Sequence, residues 1–158
     1  MKPLFTPWRM SYIKNNVPNK DCVFCAALKQ KDGFENLIVY RGKTAFVILN
    51  RFPYSTGHLM AIPFKHVPCF DELDVETRSE MMELLTHAVG VLKTLYQPAG
   101  FNVGANIGAV AGAGVAAHLH FHVVPRWAGD SNFMAVIGET RIIPEDLEVT
   151  YRRVVEGW

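Results

Sequence analysis

The run His118-Leu119-His120-Phe121-His122-Val123-Val124-Pro125 constrains this chain more than any other segment. Alternation of two residue kinds is the period of a β-strand, whose successive side chains point to opposite faces. On that period His118, His120 and His122 share one face, with next-but-one neighbours roughly 6.6 Å apart. Leu119, Phe121 and Val123 occupy the other face and can enter a core. Three of the six histidines in the chain fall in this strip. Imidazole offers a nucleophile, a proton donor or acceptor near neutral pH, and a metal ligand. Packing alone has no use for such regularity, so the strip is read as chemistry and not as stray histidines on an edge strand.

The rest of the chain supplies a sheet around it. Leu37 to Tyr40 and Ala45 to Leu49 are rich in β-formers and flank Gly42-Lys43, which predicts a hairpin. After a loop from Asn50 to Gly57, the apolar run His58 to Ile62 predicts a third strand, stopped by Pro63. Val75 to Tyr96 predicts a long helix, with Asp74 as N-cap, Glu76 in the first turn and Pro98-Ala99-Gly100 beyond its end. Met81, Leu84, Leu85, Ala88, Val91, Leu92 and Leu95 give that helix one apolar face, with Met81 and Met82 read as core filler. Cys22 to Lys31 predicts a short helix, Phe101 to Asn106 a strand, Gly108 to Gly114 a loop and Ala117 to Val124 the histidine strand. Arg141 to Ile143 reads as a short strand, and Pro144 as the first turn of a final helix. The order predicts an α+β fold: a mostly antiparallel sheet of about five strands with helices packed on one side. Residues 1–20 read as an irregular arm anchored by Phe5 and Trp8, and 21–158 as a single domain.

Composition narrows the function. The chain of 158 residues is 49% hydrophobic and 20% charged, with a net charge of +1 and a pI near 7.8. That balance predicts neither a nucleic-acid nor a membrane partner, so an anionic substrate must be held by a local site. No apolar run approaches the roughly 20 residues of a membrane span, and the N-terminal stretch lacks the apolar block of a signal peptide. Three cysteines make an odd set, which argues against a secreted disulfide framework and for a reducing, cytoplasmic setting. No organic cofactor is expected.

Further segments gather beside the strip. Asn50-Arg51-Phe52-Pro53-Tyr54-Ser55-Thr56-Gly57-His58 sets an amide, a turn and a fourth histidine at the mouth of a strand. Gly108-Ala109-Val110-Ala111-Gly112-Ala113-Gly114 is poor in side chains, so its backbone N–H groups can approach an anion. It is neither a P-loop nor a dinucleotide fingerprint, since a strand follows it. Cys22-Val23-Phe24-Cys25 has the spacing of a zinc knuckle, against the alternative of two small buried residues. Cys69 is read as a core filler and His87, on the long helix, as a surface or packing histidine.

The histidine run resembles the signature of the histidine triad superfamily of nucleotide hydrolases and transferases. Asn50-Arg51-x-Pro53-x-x-x-Gly57-His58-Leu59, followed by Ile62-Pro63, resembles its fragile-histidine-triad branch. Trp127, Gly129-Asp130 and Asn132-Phe133-Met134 resemble bacterial members acting on diadenosine polyphosphates. The resemblance implies that His120 attacks the α-phosphorus of a nucleotide to form a nucleotidyl-histidine intermediate. It gives His122 the phosphate oxygens or leaving group, His58 the polar wall, and Asn50 the sugar hydroxyls. Asn106, Gly112, Ala113 and Gly114 complete the expected nucleotide site with His120 and His122. It also implies a structural zinc held by Cys22, Cys25, His66 and His118, and a homodimer formed through the long helix and its neighbouring strand. One departure stands out: many relatives carry Gln four residues before the first histidine and Ser or Thr next to it, where this chain has Gly114 and Val115.

Two other readings compete. The three histidines could hold a catalytic zinc with water in the fourth position, although no carboxylate base lies close to the strip. Alternatively, the domain binds nucleotides without turning them over, which an intact His120 argues against.

Overall fold

The computed structural model describes residues 22–130, 137 and 143–158. The N-terminal arm at 1–20, the segment Asn132-Phe133-Met134 and most of the expected strand at 141–143 lie outside the described residues.

Helix α1 (Val23–Leu28) is followed by strands β1 (Ile38–Arg41), β2 (Ala45–Leu49) and β3 (Leu59–Pro63). Then come helix α2 (Val75–Tyr96), strands β4 (Gly100–Gly104) and β5 (Phe121–Arg126), and helix α3 (Leu147–Gly157). The five strands form one antiparallel sheet in the order β1-β2-β3-β5-β4. The α+β architecture is the expected one.

Helix α2 shows why. The Asp74 carboxylate accepts the Thr77 N–H at 2.7 Å, satisfying one of the N–H groups that a helix start leaves unpaired. Met81, Leu84, Leu85, Ala88, Val91 and Leu92 are buried, and the helix packs over β2, β3 and β5. Each such side chain taken from water contributes on the order of 1.5–3 kcal/mol. Met82 is 57% exposed, one residue off the apolar face, so only Met81 fills the core. The helix stops at Gln97, a left-handed cap, and not at a glycine.

Every residue of β2 and β3 is buried, so both faces of the sheet centre are covered and not one alone. Helix α3 begins at Leu147 and not at Pro144, because the Asp146 carboxylate accepts the Glu148 N–H and sets the start there. Cys69 is half-buried ahead of a 3₁₀ turn, outside the core assigned to it. His87 packs its ring on Trp158, with centroids 4.7 Å apart, as a packing histidine should.

Candidate active site and metal centre

The expected histidine strand is shorter than its alternation implies. Ladder pairing in β5 begins at Phe121, opposite Ala61 of β3. The preceding Leu119 N–H donates instead to Val67 O at 2.7 Å, outside the sheet. His118 and His120 therefore precede the strand and only His122 belongs to it. The three rings do not line one exposed strip. His118 and His120 are buried, and His118 turns toward Cys22 and Cys25 while His120 stands edge-on to His122 at 5.0 Å.

Backbone groups decide the tautomer of each ring. A carbonyl only accepts, so the imidazole nitrogen bonded to it carries the proton. His120 Nδ1 donates to His118 O at 2.8 Å, which leaves the lone pair on Nε2. His118 Nε2 donates to Pro63 O at 2.9 Å, which leaves the lone pair on Nδ1. The fourth histidine is fixed in the reverse sense. The Tyr54 N–H donates to His58 Nδ1 at 3.0 Å, so the His58 proton sits on Nε2. That group donates across the β3–β5 pair to His122 Nδ1 at 2.8 Å. His122 is thereby left with its N–H on Nε2, a donor for an anionic oxygen. The Tyr54 ring covers this pair, 4.5 Å from His58 and 5.7 Å from His122.

Burial favours the neutral form of His118, His120 and His122. Desolvation pushes His118 and His120 below the ordinary histidine range. His122 falls to about 4, through desolvation first and then repulsion from the charge that His120 would carry if protonated. A neutral His120 with its lone pair at Nε2 can act as a nucleophile near pH 7, and a neutral His122 can still donate.

Gly57 brings His58 to its place. Its φ of +75° is a left-handed conformation, and a Cβ there would meet Leu92 Cδ2 at 2.8 Å, so only glycine fits against α2. Asn50 engages the same loop: its Nδ2 lies 3.2 Å from His58 Nδ1 and its Oδ1 accepts the Phe52 N–H at 3.0 Å. The glycine loop differs from a cradle of unpaired donors. Gly112 N–H donates to Ala109 O and Ala113 N–H to Gly108 O, while Asn106 Nδ2 donates to Gly112 O at 3.4 Å. These contacts, with the Ala111 N–H that donates to Gly108 O, shape the loop and turn three of its N–H groups inward.

Cys22, Cys25, His66 and His118 converge, their ligand atoms all within 4.8 Å of one another. Cys22 Sγ lies 3.2 Å from His118 Nδ1 and Cys25 Sγ 3.3 Å from His66 Nδ1. An N–S edge of a zinc tetrahedron spans roughly 3.5 Å for bonds of about 2.1 and 2.3 Å, so the set fits that ion with little movement. Two sulfurs and two imidazoles fill four positions, the composition of a structural and not a catalytic centre. The bond from His118 Nε2 to Pro63 O supplies the orienting contact that metal-bound imidazoles favour.

A scan of family models matches the HIT domain over residues 32–129. The chain belongs to the HIT domain family. The AP-4-A phosphorylase of Mycobacterium tuberculosis is 38% identical over 165 residues, covering all of this chain and 85% of that protein. Among solved structures, a hypothetical histidine triad nucleotide-binding protein from Sulfolobus tokodaii superposes with a TM-score of 0.69 at 29% identity, covering 86% of this chain and 91% of that one. A Zn-bound histidine triad family protein from Mycobacterium smegmatis, at 24% identity, shares the fold with a TM-score of 0.69, over 87% of this chain and 93% of that one.

Within this HIT domain two residues near the site escape sequence reasoning. Tyr54 carries both the N–H that sets His58 and a ring over His122, and its place beside Pro53 in the Asn50–His58 motif was the available signal. Phe24, between the two cysteines, packs on His118 and His120, and its aromatic character inside the Cys-x-x-Cys spacing was the corresponding clue. Asp130, by contrast, is structural: it pairs with Arg126 at 2.6 Å and accepts the Trp127 N–H at 3.1 Å.

Proposed function

We propose that this HIT protein cleaves a dinucleoside polyphosphate, diadenosine tetraphosphate above all, at an α-phosphate through a nucleotidyl-His120 intermediate. The observation that carries this reading is the bond from His120 Nδ1 to His118 O, which leaves Nε2 as the nucleophile. In the first displacement Nε2 forms a bond to the α-phosphorus and the bond to the leaving polyphosphate oxygen breaks. His122 Nε2–H donates to the phosphate oxygens or to the departing group, stabilising the charge that develops there. An acceptor then displaces His120, restoring its lone pair. Water as acceptor gives AMP, and inorganic phosphate gives ADP. The AP-4-A phosphorylase relative supports phosphate as the acceptor. Asn50 serves the sugar hydroxyls through the acceptor capacity left on its Oδ1, and the loop carrying Gly112, Ala113 and Gly114, braced by Asn106, would meet the phosphates with its Gly112 and Ala113 N–H groups already paired inside the loop.

Zinc bound by Cys22, Cys25, His66 and His118 would supply a structural cross-link and no chemistry to the reaction; the donor set supports this. The metal-water alternative is weaker, since His118, His120 and His122 do not gather their ring nitrogens as a three-ligand set among the described residues. The homodimer reading is supported by β4, an edge strand of the sheet among the described residues, whose Val103 is 51% exposed. The odd count of three cysteines supports a cytoplasmic setting.

Stereochemistry tests the covalent step. Two in-line displacements give net retention at phosphorus, so a chiral phosphorothioate substrate should return product of unchanged configuration. Inversion would mark direct attack and remove His120 as nucleophile. Product analysis with and without inorganic phosphate separates the acceptors: ADP formed only when phosphate is present identifies a phosphorylase.

A further inference from the structure

We propose that α1 is a clamp on the nucleophile, with Phe24 as a positioning residue for His120 that the Cys22–Cys25 metal cluster holds in place. The inference rests on the proposed role of His120 and extends it to a part of the chain outside the reacting site.

Helix α1 spans six residues, and its N-cap Cys22 makes no side-chain cap bond. Isolated helices shorter than about 12–15 residues are marginal in water, so α1 depends on what it is tied to. Its ties are apolar, through Phe24 and Ala27 in the core, and polar, through Cys22 and Cys25 facing His118 and His66. Phe24 sits between the two cysteines and is 6% exposed. Its ring meets His118 edge-on at 5.5 Å and lies tilted against His120 at 5.1 Å. A second connection runs through the backbone, because the carbonyl that accepts from His120 Nδ1 belongs to His118, itself one of the cluster. One side of the His120 ring is thus held by a hydrogen bond and another by the tilted Phe24 ring, and both supports lead to the same four side chains. Small losses of alignment matter at this point, since about 1 Å of misplacement in a reacting group costs on the order of 100-fold in rate.

The test compares the zinc-loaded wild type, the zinc-loaded Phe24→Leu variant and chelator-treated forms of both. Metal content, the pre-steady-state burst of His120 nucleotidylation from diadenosine tetraphosphate, KM, and ¹⁵N NMR of the His120 ring are recorded. Zinc-loaded Phe24→Leu should keep its metal and a KM within about threefold of wild type, while the burst rate falls roughly 10- to 100-fold. The share of His120 with its proton on Nδ1 should fall with it. Removing zinc from the folded wild type should give a similar loss, and removing it from Phe24→Leu little more, because both act through one support. A wild-type burst rate in zinc-loaded Phe24→Leu, or losses that simply multiply, would overturn the clamp. Where chelation unfolds the protein, the zinc-loaded variant decides alone. Absence of any nucleotidyl adduct in the wild type would instead defeat the proposed reaction, and the NMR comparison would still judge the clamp.

Discussion

His118 and His120 stand two residues apart in the chain, yet the fold makes them different reagents. His118 gives its Nε2 proton to Pro63 O and turns its Nδ1 lone pair toward two sulfurs. His120 gives its Nδ1 proton to His118 O and keeps the lone pair on Nε2. Residue type is the same and burial is similar. What differs is which nitrogen a backbone carbonyl occupies, and that choice separates the proposed metal-ligand region from the proposed nucleophilic one.

The comparison can be broken most sharply at His120. His120→Ala should lose turnover by on the order of 10⁴-fold or more, as when other catalytic nucleophiles are removed. AMP binding measured by calorimetry should change far less, because Asn50 and His122 remain. Robust turnover in that variant would erase the distinction between the two histidines.

The metal side should respond in stability. Chelation, or Cys22→Ser, should cost about 3–5 kcal/mol, roughly a 10 °C drop in melting midpoint for a domain of this size. Added zinc should restore the chelated protein and leave Cys22→Ser unimproved. A melting curve indifferent to zinc would mean that the cluster is only a group of packed side chains.

A smaller effect should follow pH. His122 is depressed to about 4 from an ordinary 6.5, in a setting formed by His58, His120 and Tyr54. Below about 6.5 the unfolded chain takes up a proton that the native ring refuses, so stability is full above that pH and declines until about 4. Carboxylates with lowered values, Asp32, Asp74 and Glu80, act in the same direction at still lower pH. Urea midpoints at pH 7.5, 5.5 and 4.5 should therefore fall less in His122→Gln than in wild type. Equal slopes would show that His122 is not held neutral by the fold.

The smallest effect serves as a reference for both regions. Asp74→Ala removes the cap of α2, far from either histidine, and should cost about 1 kcal/mol in denaturant unfolding without altering KM or metal content. A selective loss of zinc or of catalysis in that variant would mean the two regions are coupled through α2.

Legibility in the sequence followed the range of the forces involved. Helix α2 has the limits that its Asp74 cap and apolar period predict, because both signals are local. Strand β2 likewise coincides with its run of β-formers. The start of β5 did not, since the bond from Leu119 N–H to Val67 O depends on a segment 52 residues earlier. The four metal-site residues expected by resemblance do come together. The tautomers were illegible, because Pro63 O and Tyr54 N–H reach the rings only after the sheet has closed. Phe24 and Met82 show the same limit on a smaller scale: one reaches a histidine and the other solvent, and hydrophobic character alone states neither.

The bond between His120 and His118 O joins residues separated by two positions, whereas that between His58 and His122 spans 64. Local contacts close early and at small entropic cost, while distant ones wait for long loops to shut. The proposed nucleophile can acquire its proton arrangement as soon as its own turn forms. Its partner His122 acquires one only when β3 has paired with β5. A half-folded chain would thus carry His120 in its final tautomer without the His122 donor proposed to serve it, and the complete histidine pair would be the last part of the site to mature during refolding.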